Sequence, residues 1–481
     1  MPLIKTLFAS ASILTITACA SIGPEYEAPS TNNIAGIAFE GDPAVDASIS
    51  EPAQSWWRAL EDETLNALIE RAFAENRDLR IAAANVEAAR AQLRIERVNL
   101  RPTAEGTADY QRRRLSGASF GADDLSFNDS DFFDVGLNAA WELDFFGRVK
   151  NATRAALAEA QGAEYLRRDA EALVAAETAR AYVDYRGAQT SLSVAERNLE
   201  IQRETSALTQ TRYEEGLGTK LDVARAQTQA KITQASIPPL EAAQTAALNR
   251  LATLTGAPAE EVKNILIQSA EDLPAPPEAL AIGDAESLLR RRADIRAAER
   301  TLAAATAQIG VAKADYFPRI TLVGAVSASA QTLSGVGGDG SFGYGVGPSL
   351  SWTGFDIPRV RANIKAADAR ADAAFAAYEQ TVLTALEETR TALADYGRER
   401  ARLDALDDAA ATAREAAGLA RDRYDAGADD FIDVLDAEGR LLAAEASLAE
   451  SRRAAASKFI SVYLALGAGW RAETVGRVAA L

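Results

Sequence analysis

The spacing of apolar residues divides this chain into long helical stretches and short alternating ones. Between residues 64 and 100 the spacing is helical, with a break near Asn76 and a stop at Pro102, so it predicts two consecutive helices. From Val149 to about Arg212 there is no proline and no alternation. This stretch predicts a single helix roughly 95 Å long at ~1.5 Å per residue.

Four segments alternate instead between apolar residues on one side and polar or small residues on the other. They lie at about 104–111, 133–143, 320–327 and 342–352. Each is close to the ~9–11 residues of a transmembrane strand, and tyrosine and tryptophan near the strand ends are typical of an aromatic girdle. A soluble sandwich would also alternate, but it would not explain the long helices beside each strand pair.

Four strands are too few to close into a barrel, and an open sheet edge in lipid leaves backbone groups unpaired. Several copies of the chain must therefore share one barrel. Three copies would give twelve strands, between the eight that side chains can fill and the sixteen of open porins, and two or four copies are also compatible with the sequence. The lipid-facing side would include Phe133, Leu137, Trp141, Ile320 and Leu350.

The two halves of the chain repeat each other. Residues that recur 211 positions later include Arg212-Tyr213 and Gly216 as Arg423-Tyr424 and Gly427, Trp141 as Trp352, and Gly256 as Gly467. Pro102 recurs 216 positions later as Pro318, so the copies differ by five residues between Pro102 and Trp141. A period this long excludes a solenoid and indicates one pseudo-symmetric fold, in which each long helix is followed by a return helix.

The composition excludes several kinds of chemistry. There is no histidine among the 481 residues, so the chain has no imidazole base and no His-ligated metal site. The single cysteine, Cys19, excludes internal disulfides and Cys-cluster metals. A net charge of −18 argues against a nucleic acid partner. No group of residues suggests catalysis or a cofactor site.

The N-terminal residues have the pattern of a secretory signal. Lys5 precedes an apolar run that is too short to span a bilayer, and Ile16-Thr17-Ala18-Cys19 follows it. This tetrapeptide resembles the lipobox of bacterial lipoproteins, which implies cleavage before Cys19 and lipid attachment to its sulfur. Ala20, which is not aspartate, then implies retention in the outer membrane. An ordinary secretory signal with an incidental cysteine is the alternative.

These observations divide the chain into six parts. The expected parts are a lipoprotein signal peptide (1–18), a lipidated extended leader (19–60), a first repeat (61–256) with strands at about 103–144, a connector near the equator (257–283), a second repeat (284–467) with strands at about 319–352, and a C-terminal tail (468–481).

Several motifs in this order resemble the TolC-type outer membrane efflux proteins, lipoprotein branch. They include Gly23-Pro24-Glu25-Tyr26, Trp56-Trp57, Asn76-Arg77-Asp78-Leu79, Tyr316-Phe317-Pro318 and the two Arg-Tyr-x-x-Gly turns. The resemblance implies a mainly α fold with a small β part: long helical hairpins that form a periplasmic tunnel, and four strands that contribute to a trimeric, twelve-stranded barrel. It also implies a passive, non-enzymatic outer membrane channel of a Gram-negative bacterium, which docks onto a periplasmic adaptor and an inner membrane RND-type pump.

The resemblance further implies roles for residues at the hairpin turns. The tips that contact the adaptor match Gly216, Leu217, Gly427 and Ala428. The aspartates that ring the periplasmic constriction match Asp433 and Asp436, and a tyrosine that binds an aspartate of a neighbouring turn matches Tyr424 and Asp222. Simple helix capping is the alternative for Asp433 and Asp436. Asp429 replaces a basic family residue, so the salt bridge that helps close the better-known channels cannot form as such.

Two other functions are compatible with the sequence. A TolC-like exit duct for type I protein secretion would have the same architecture, although Cys19 favours the efflux branch. A long helical envelope scaffold without a pore would leave the amphipathic strands unexplained.

Overall fold

The computed structural model describes residues 22–29, 46–48, 50–114, 128–268, 272–428 and 430–470. The expectations for Cys19 and Asp429 therefore lie outside the described residues. The helices are α1 (Glu63–Glu75), α2 (Arg77–Val98), α3 (Arg148–Glu214), α4 (Lys220–Thr255), α5 (Ala259–Ile267), α6 (Ala285–Arg291), α7 (Ala293–Ala314), α8 (Ile357–Asp425) and α9 (Phe431–Ala465). The strands are β1 (Asp46–Ser48), β2 (Thr103–Arg113), β3 (Ser130–Glu142), β4 (Ala279–Ala281), β5 (Arg319–Ala330) and β6 (Phe342–Ser351).

The chain forms two compact units. The first takes in the described residues of Met1–Pro29, Val86–Ala163 and Ala298–Tyr378, and the second takes in those of Ser30–Asn85, Glu164–Ala297 and Glu379–Leu481. Helices α3 and α8 are continuous for 67 and 69 residues, as the absence of proline and of alternation predicted for the first of them. None of the helices in the described ranges is both long and apolar enough to cross a membrane.

The first unit contains an antiparallel sheet of strand order β2-β3-β5-β6. Its register pairs apolar residues with apolar residues across the strands: Gly106, Leu137, Val326 and Tyr344 lie in one row. Leu137, Tyr344 and Leu350 of this face are 52%, 79% and 65% exposed. The opposite face carries mainly polar or small residues, as the alternation predicted, with Phe132 and Val323 as apolar exceptions. In the described part of the chain, no further strand pairs with the outer edges of β2 and β6.

Helix packing in the first unit repeats with the sequence. Leu93 of α2 packs against Ala156 and Ala160 of α3. The corresponding residues of the second repeat, Ile309, Ala367 and Ala371, form the same cluster between α7 and α8. The two clusters have the same arrangement because their alanines let the neighbouring helix approach closely. A third cluster, Ala158 with Ala303 and Ala304, joins α3 to α7 and therefore links the two repeats.

Two tryptophans make the same hydrogen bond in both repeats at the helix-side end of the sheet. The indole nitrogen of Trp141 donates to the Leu100 carbonyl at 3.1 Å, and that of Trp352 donates to the Tyr316 carbonyl at 3.1 Å. Leu100 lies in the connection between α2 and β2, and Tyr316 lies in the connection between α7 and β5. Each repeat therefore holds its junction between helix and sheet with the same hydrogen bond.

The second unit contains the hairpin turns and a small parallel sheet. Strand β1 pairs with β4, so that residues 46–48 lie beside residues 279–281 of the connector. Trp56 and Trp57 are buried in an aromatic cluster with Phe459, Tyr463 and Phe73. The aromatic pair that the sequence singled out is therefore part of the hydrophobic core of this unit.

Candidate functional site

The two hairpin tips end with the same backbone motif. At the first tip, the amide of Gly216 donates to the Tyr213 carbonyl at 3.0 Å, and the amide of Leu217 donates to the Arg212 carbonyl at 2.8 Å. Gly427 and Ala428 make the same pair of bonds at the second tip, both at 2.9 Å. This is a Schellman motif, in which the residue after the helix takes a left-handed conformation.

The repeated Arg-Tyr-x-x-Gly pattern therefore has a physical reason. Gly216 and Gly427 have φ of 75° and 71°, where a side chain would be strained. A Cβ at either position would meet no neighbour, so the requirement for glycine comes from the backbone alone. All four tip residues are exposed, and Leu217 is 67% exposed. Leu217 therefore leaves an apolar side chain exposed beside the turn.

Helix α9 begins beside the second tip and has two different faces. Phe431 and Val434 are buried against Ala226 and Tyr424. Asp433 and Asp436 are exposed on the other face. Asp430 occupies the cap position, so neither Asp433 nor Asp436 is the N-cap residue of this helix. Asp436 forms an exposed ion pair with Arg440 at 2.8 Å, one turn further along.

Tyr424 is held at the end of α8 by Arg212. The guanidinium of Arg212 lies over the Tyr424 ring, 4.3 Å from its centroid, and donates to the Tyr424 carbonyl at 3.0 Å. The ring also contacts Phe431, at 5.7 Å between centroids. Burial raises the pKa of the Tyr424 hydroxyl, and the nearby Arg212 charge opposes the rise. The residue is thus a packing contact between the two hairpins.

Asp222 caps the start of its own helix in this chain. Its carboxylate accepts hydrogen bonds from the Thr219 amide at 3.1 Å and the Thr219 hydroxyl at 2.6 Å. Thr219 in turn accepts from the Asp222 amide, which completes a capping box at the start of α4. Tyr424 and Asp222 are not hydrogen-bonded to each other within this single chain, and the contact between neighbouring turns that the resemblance implies stays a prediction.

A buried charged contact near the tips escaped the sequence analysis. Glu438 of α9 is 5% exposed and accepts from Arg421 of α8 at 2.8 Å and from the Thr205 hydroxyl of α3 at 2.9 Å. Burial raises the pKa of the Glu438 carboxyl, and the bonds from Thr205 and Arg421 oppose this. The signal was available: Glu438 follows Phe431 and Val434 at seven and four residues, on the buried face of the helix.

A family comparison identifies the chain. The model of the family described as "Outer membrane efflux protein" matches residues 68–257 and 285–468. The chain belongs to this family. The resemblance read from the sequence and the TolC-like fold are therefore confirmed. This outer membrane efflux protein is a transport conduit and not an enzyme.

Individual relatives agree with the family. The efflux protein is 33% identical to outer membrane protein OprJ of Pseudomonas aeruginosa, over 95% of this chain and 94% of that protein. It is 32% identical to the solvent efflux pump outer membrane protein SrpC of Pseudomonas putida, over 95% and 97% of the two chains. Among solved structures, the outer-membrane channel OprN is 38% identical with a TM-score of 0.84, over 94% of this chain and all of that one.

Proposed function

We propose that this efflux protein is the exit duct of a tripartite pump and carries drugs or other small toxic compounds out of the cell. A periplasmic adaptor and an inner membrane RND-type pump are its partners, and three copies assemble into one channel. The support is the family membership together with relatives named as outer membrane parts of efflux pumps. The substrates named for those relatives are theirs, and for this protein they support only the broad class of small toxic compounds.

The observation that carries the proposal is the four-stranded sheet. It presents an exposed apolar face, a mainly polar opposite face and two edges with which no strand of the described residues pairs. Such a sheet is stable in a membrane only if other copies pair with its edges, because unpaired backbone groups in lipid cost several kcal/mol each, roughly. Three copies contribute twelve strands, which leaves a conduit lined by the polar face.

The exposed tips are the proposed docking points for the adaptor. Gly216, Leu217, Gly427 and Ala428 lie at the ends of two rigid hairpins, where they are open to a partner. Asp433 and Asp436 follow the second tip and are proposed to ring the constriction of the assembled channel. We also propose the division of the chain into the six parts that the sequence predicts.

The N-terminal segment is proposed to anchor the protein. Cleavage before Cys19 and acylation of its sulfur would place the mature protein on the periplasmic face of the outer membrane. Two or three acyl chains give firm attachment, whereas one gives only marginal binding. This anchor would add to the insertion of the sheet and would act mainly in targeting.

Recording from a planar lipid bilayer tests the proposed function. The purified full chain is expected to insert as discrete channels with stable conductance steps. A non-conducting envelope scaffold would give none. Restoration of drug tolerance, without restored protein secretion, in a strain that lacks its own outer membrane channels then separates an efflux duct from a protein secretion duct. Restored secretion alone would contradict the efflux function.

A further inference from the structure

The leader residues 22–29 pack on one helix pair of the first unit. The amide of Ile22 donates to the Phe146 carbonyl at 3.2 Å, immediately before α3. The side chain of Asn151, on the first turn of α3, donates back to the Ile22 carbonyl at 3.0 Å. These two bonds satisfy the backbone groups of Ile22 as another strand would.

Two glycines allow the leader to approach α7. Gly23 has a φ of 147°, and a Cβ there would lie 2.7 Å from the Cα of Gly310. A Cβ on Gly310 would lie 2.4 Å from the side-chain nitrogen Nδ2 of Asn151. The obstacle at Gly23 is backbone, which cannot turn aside as a side chain can. The leader therefore reaches this position only because both residues are glycine.

Tyr26 is the second point of attachment. Its hydroxyl donates to Glu299 of α7 at 3.0 Å, and Glu299 is only 4% exposed. The Tyr26 ring packs on the alanine cluster that joins α3 to α7. Arg300 of α7 lies over the same ring, 5.6 Å from its centroid, and donates to Gln161 of α3 at 3.2 Å. The tyrosine thus bridges both helices.

The repeat supplies a comparison for this contact. By the spacings of 211 and 216, α8 corresponds to α3 and α2 corresponds to α7. Ala158 and Ala304 are buried at the α3–α7 contact, whereas their counterparts Ala369 and Ala88 are exposed in one chain. In the proposed trimer, α8 of one copy would meet α2 of the next at these positions.

The counterpart positions could not hold a leader. Arg94 replaces Gly310, so the close approach of a backbone is blocked. Ala362 replaces Asn151, and Ala83 and Ala84 replace Glu299 and Arg300, so the hydrogen bonds and the cation over the ring are lost. The α3–α7 and α8–α2 joints therefore occupy equivalent positions in the repeat, but only the α3–α7 joint has residues that bind the leader.

We propose that the leader is a clamp that fixes α3 to α7 within each copy, which leaves the joints between copies as the ones that move. The inference rests on the proposed trimer. The clamp acts through residues 22–26 and does not require the lipid. Changes in the width of the assembled helical wall would accordingly occur at the α8–α2 joints between copies and not at the α3–α7 joints within them.

Hydrogen exchange measured by mass spectrometry on the purified trimer tests the clamp. The variants Tyr26→Ala and Gly23→Val change only the leader and leave every helix residue in place. Glu27→Ala is the matched control, because Glu27 is exposed on the same segment. We expect amides of α3 near Asn151 and of α7 near Glu299 to exchange about tenfold faster in both variants, with α2 and α8 unchanged.

Two results would overturn the clamp. One is unchanged exchange in α3 and α7, and the other is an equal rise in all four helices, which would indicate general destabilisation. If Tyr26→Ala does not assemble, Tyr26→Phe removes only the bond to Glu299 and should give a smaller rise confined to the same amides. Efflux is assayed separately on the same proteins. Unchanged exchange contradicts the clamp whether or not a variant loses efflux, whereas the proposed channel function is contradicted only if the wild type shows no efflux.

Discussion

The two carboxylates at the start of α9 would act together only when three copies assemble. Asp433 and Asp436 lie three residues apart on an exposed face, so both project to nearly the same side. In a trimer with this face toward the axis, six carboxylates would surround one constriction. Crowded like charges attract multivalent cations.

Block of the channel by a trivalent cation tests this arrangement. Asp433→Asn combined with Asp436→Asn should weaken block from the periplasmic side at least tenfold, roughly, because most of the local negative potential is removed. Trimer stability should change little, since both side chains are exposed. Asp404→Asn with Asp408→Asn, an exposed pair on α8, is the matched control. Equal block in the wild type and the Asp433/Asp436 variant would place the cation site elsewhere.

Single residues show where the sequence was sufficient and where it failed. The turn glycines could be predicted because a left-handed conformation depends on the local backbone alone. The capping box of Asp222 with Thr219, three residues earlier, is local in the same way, whereas a contact between Asp222 and Tyr424 depends on the fold. Glu438 was missed because a glutamate in an acidic helix gives no sign of burial until its spacing from Phe431 is considered.

Helices and strands were more predictable than the contacts between them. The predicted stop at Pro102 and the start at Val149 lie within a few residues of the observed ends of α2 and α3, because proline and hydrophobic period act locally. The docking of the leader was not predicted. It depends on Gly23 meeting Gly310 across the whole first repeat and the connector, and nothing in either local sequence identifies the other.

Disulfide formation between copies tests the helix pairing that the repeat implies. Ala88→Cys with Ala369→Cys should give covalent dimers and trimers under oxidising conditions, because the counterparts of these residues pack together within one chain. Ala158→Cys with Ala304→Cys is the control and should give only an internal disulfide. Oligomers from the control, or none from the test pair, would contradict the proposed joint between copies.

At the scale of the whole molecule, we expect the lipid anchor to act in targeting and the sheet to act in membrane insertion. The sheet should hold an assembled channel in the membrane, whereas a lipid on Cys19 should direct newly exported chains to it. Cys19→Ala is therefore expected to reduce the amount in the outer membrane several-fold while the trimers that form resist detergent as the wild type does.

Mass spectrometry of the mature N-terminus checks the same point directly. A diacylglyceryl group on Cys19 is expected, and Ser21→Ala serves as a control that should keep the modification. An unmodified cysteine, or cleavage at another bond, would contradict the anchor.

The unequal loops of the sheet record how the two repeats diverged. Sixteen residues separate β2 from β3, and eleven separate β5 from β6, which accounts for the whole change between the two spacings of the repeat. An added residue would turn the rest of a helix by about 100° or exchange the faces of a strand, so such changes were not retained there. The ancestral duplication thus serves as a natural insertion experiment, and it marks the connections between paired strands as the place where this chain has accepted additional sequence. Each copy would bring one long and one short connection to the rim, so the mouth of the assembled channel would have threefold symmetry even though its wall is nearly sixfold.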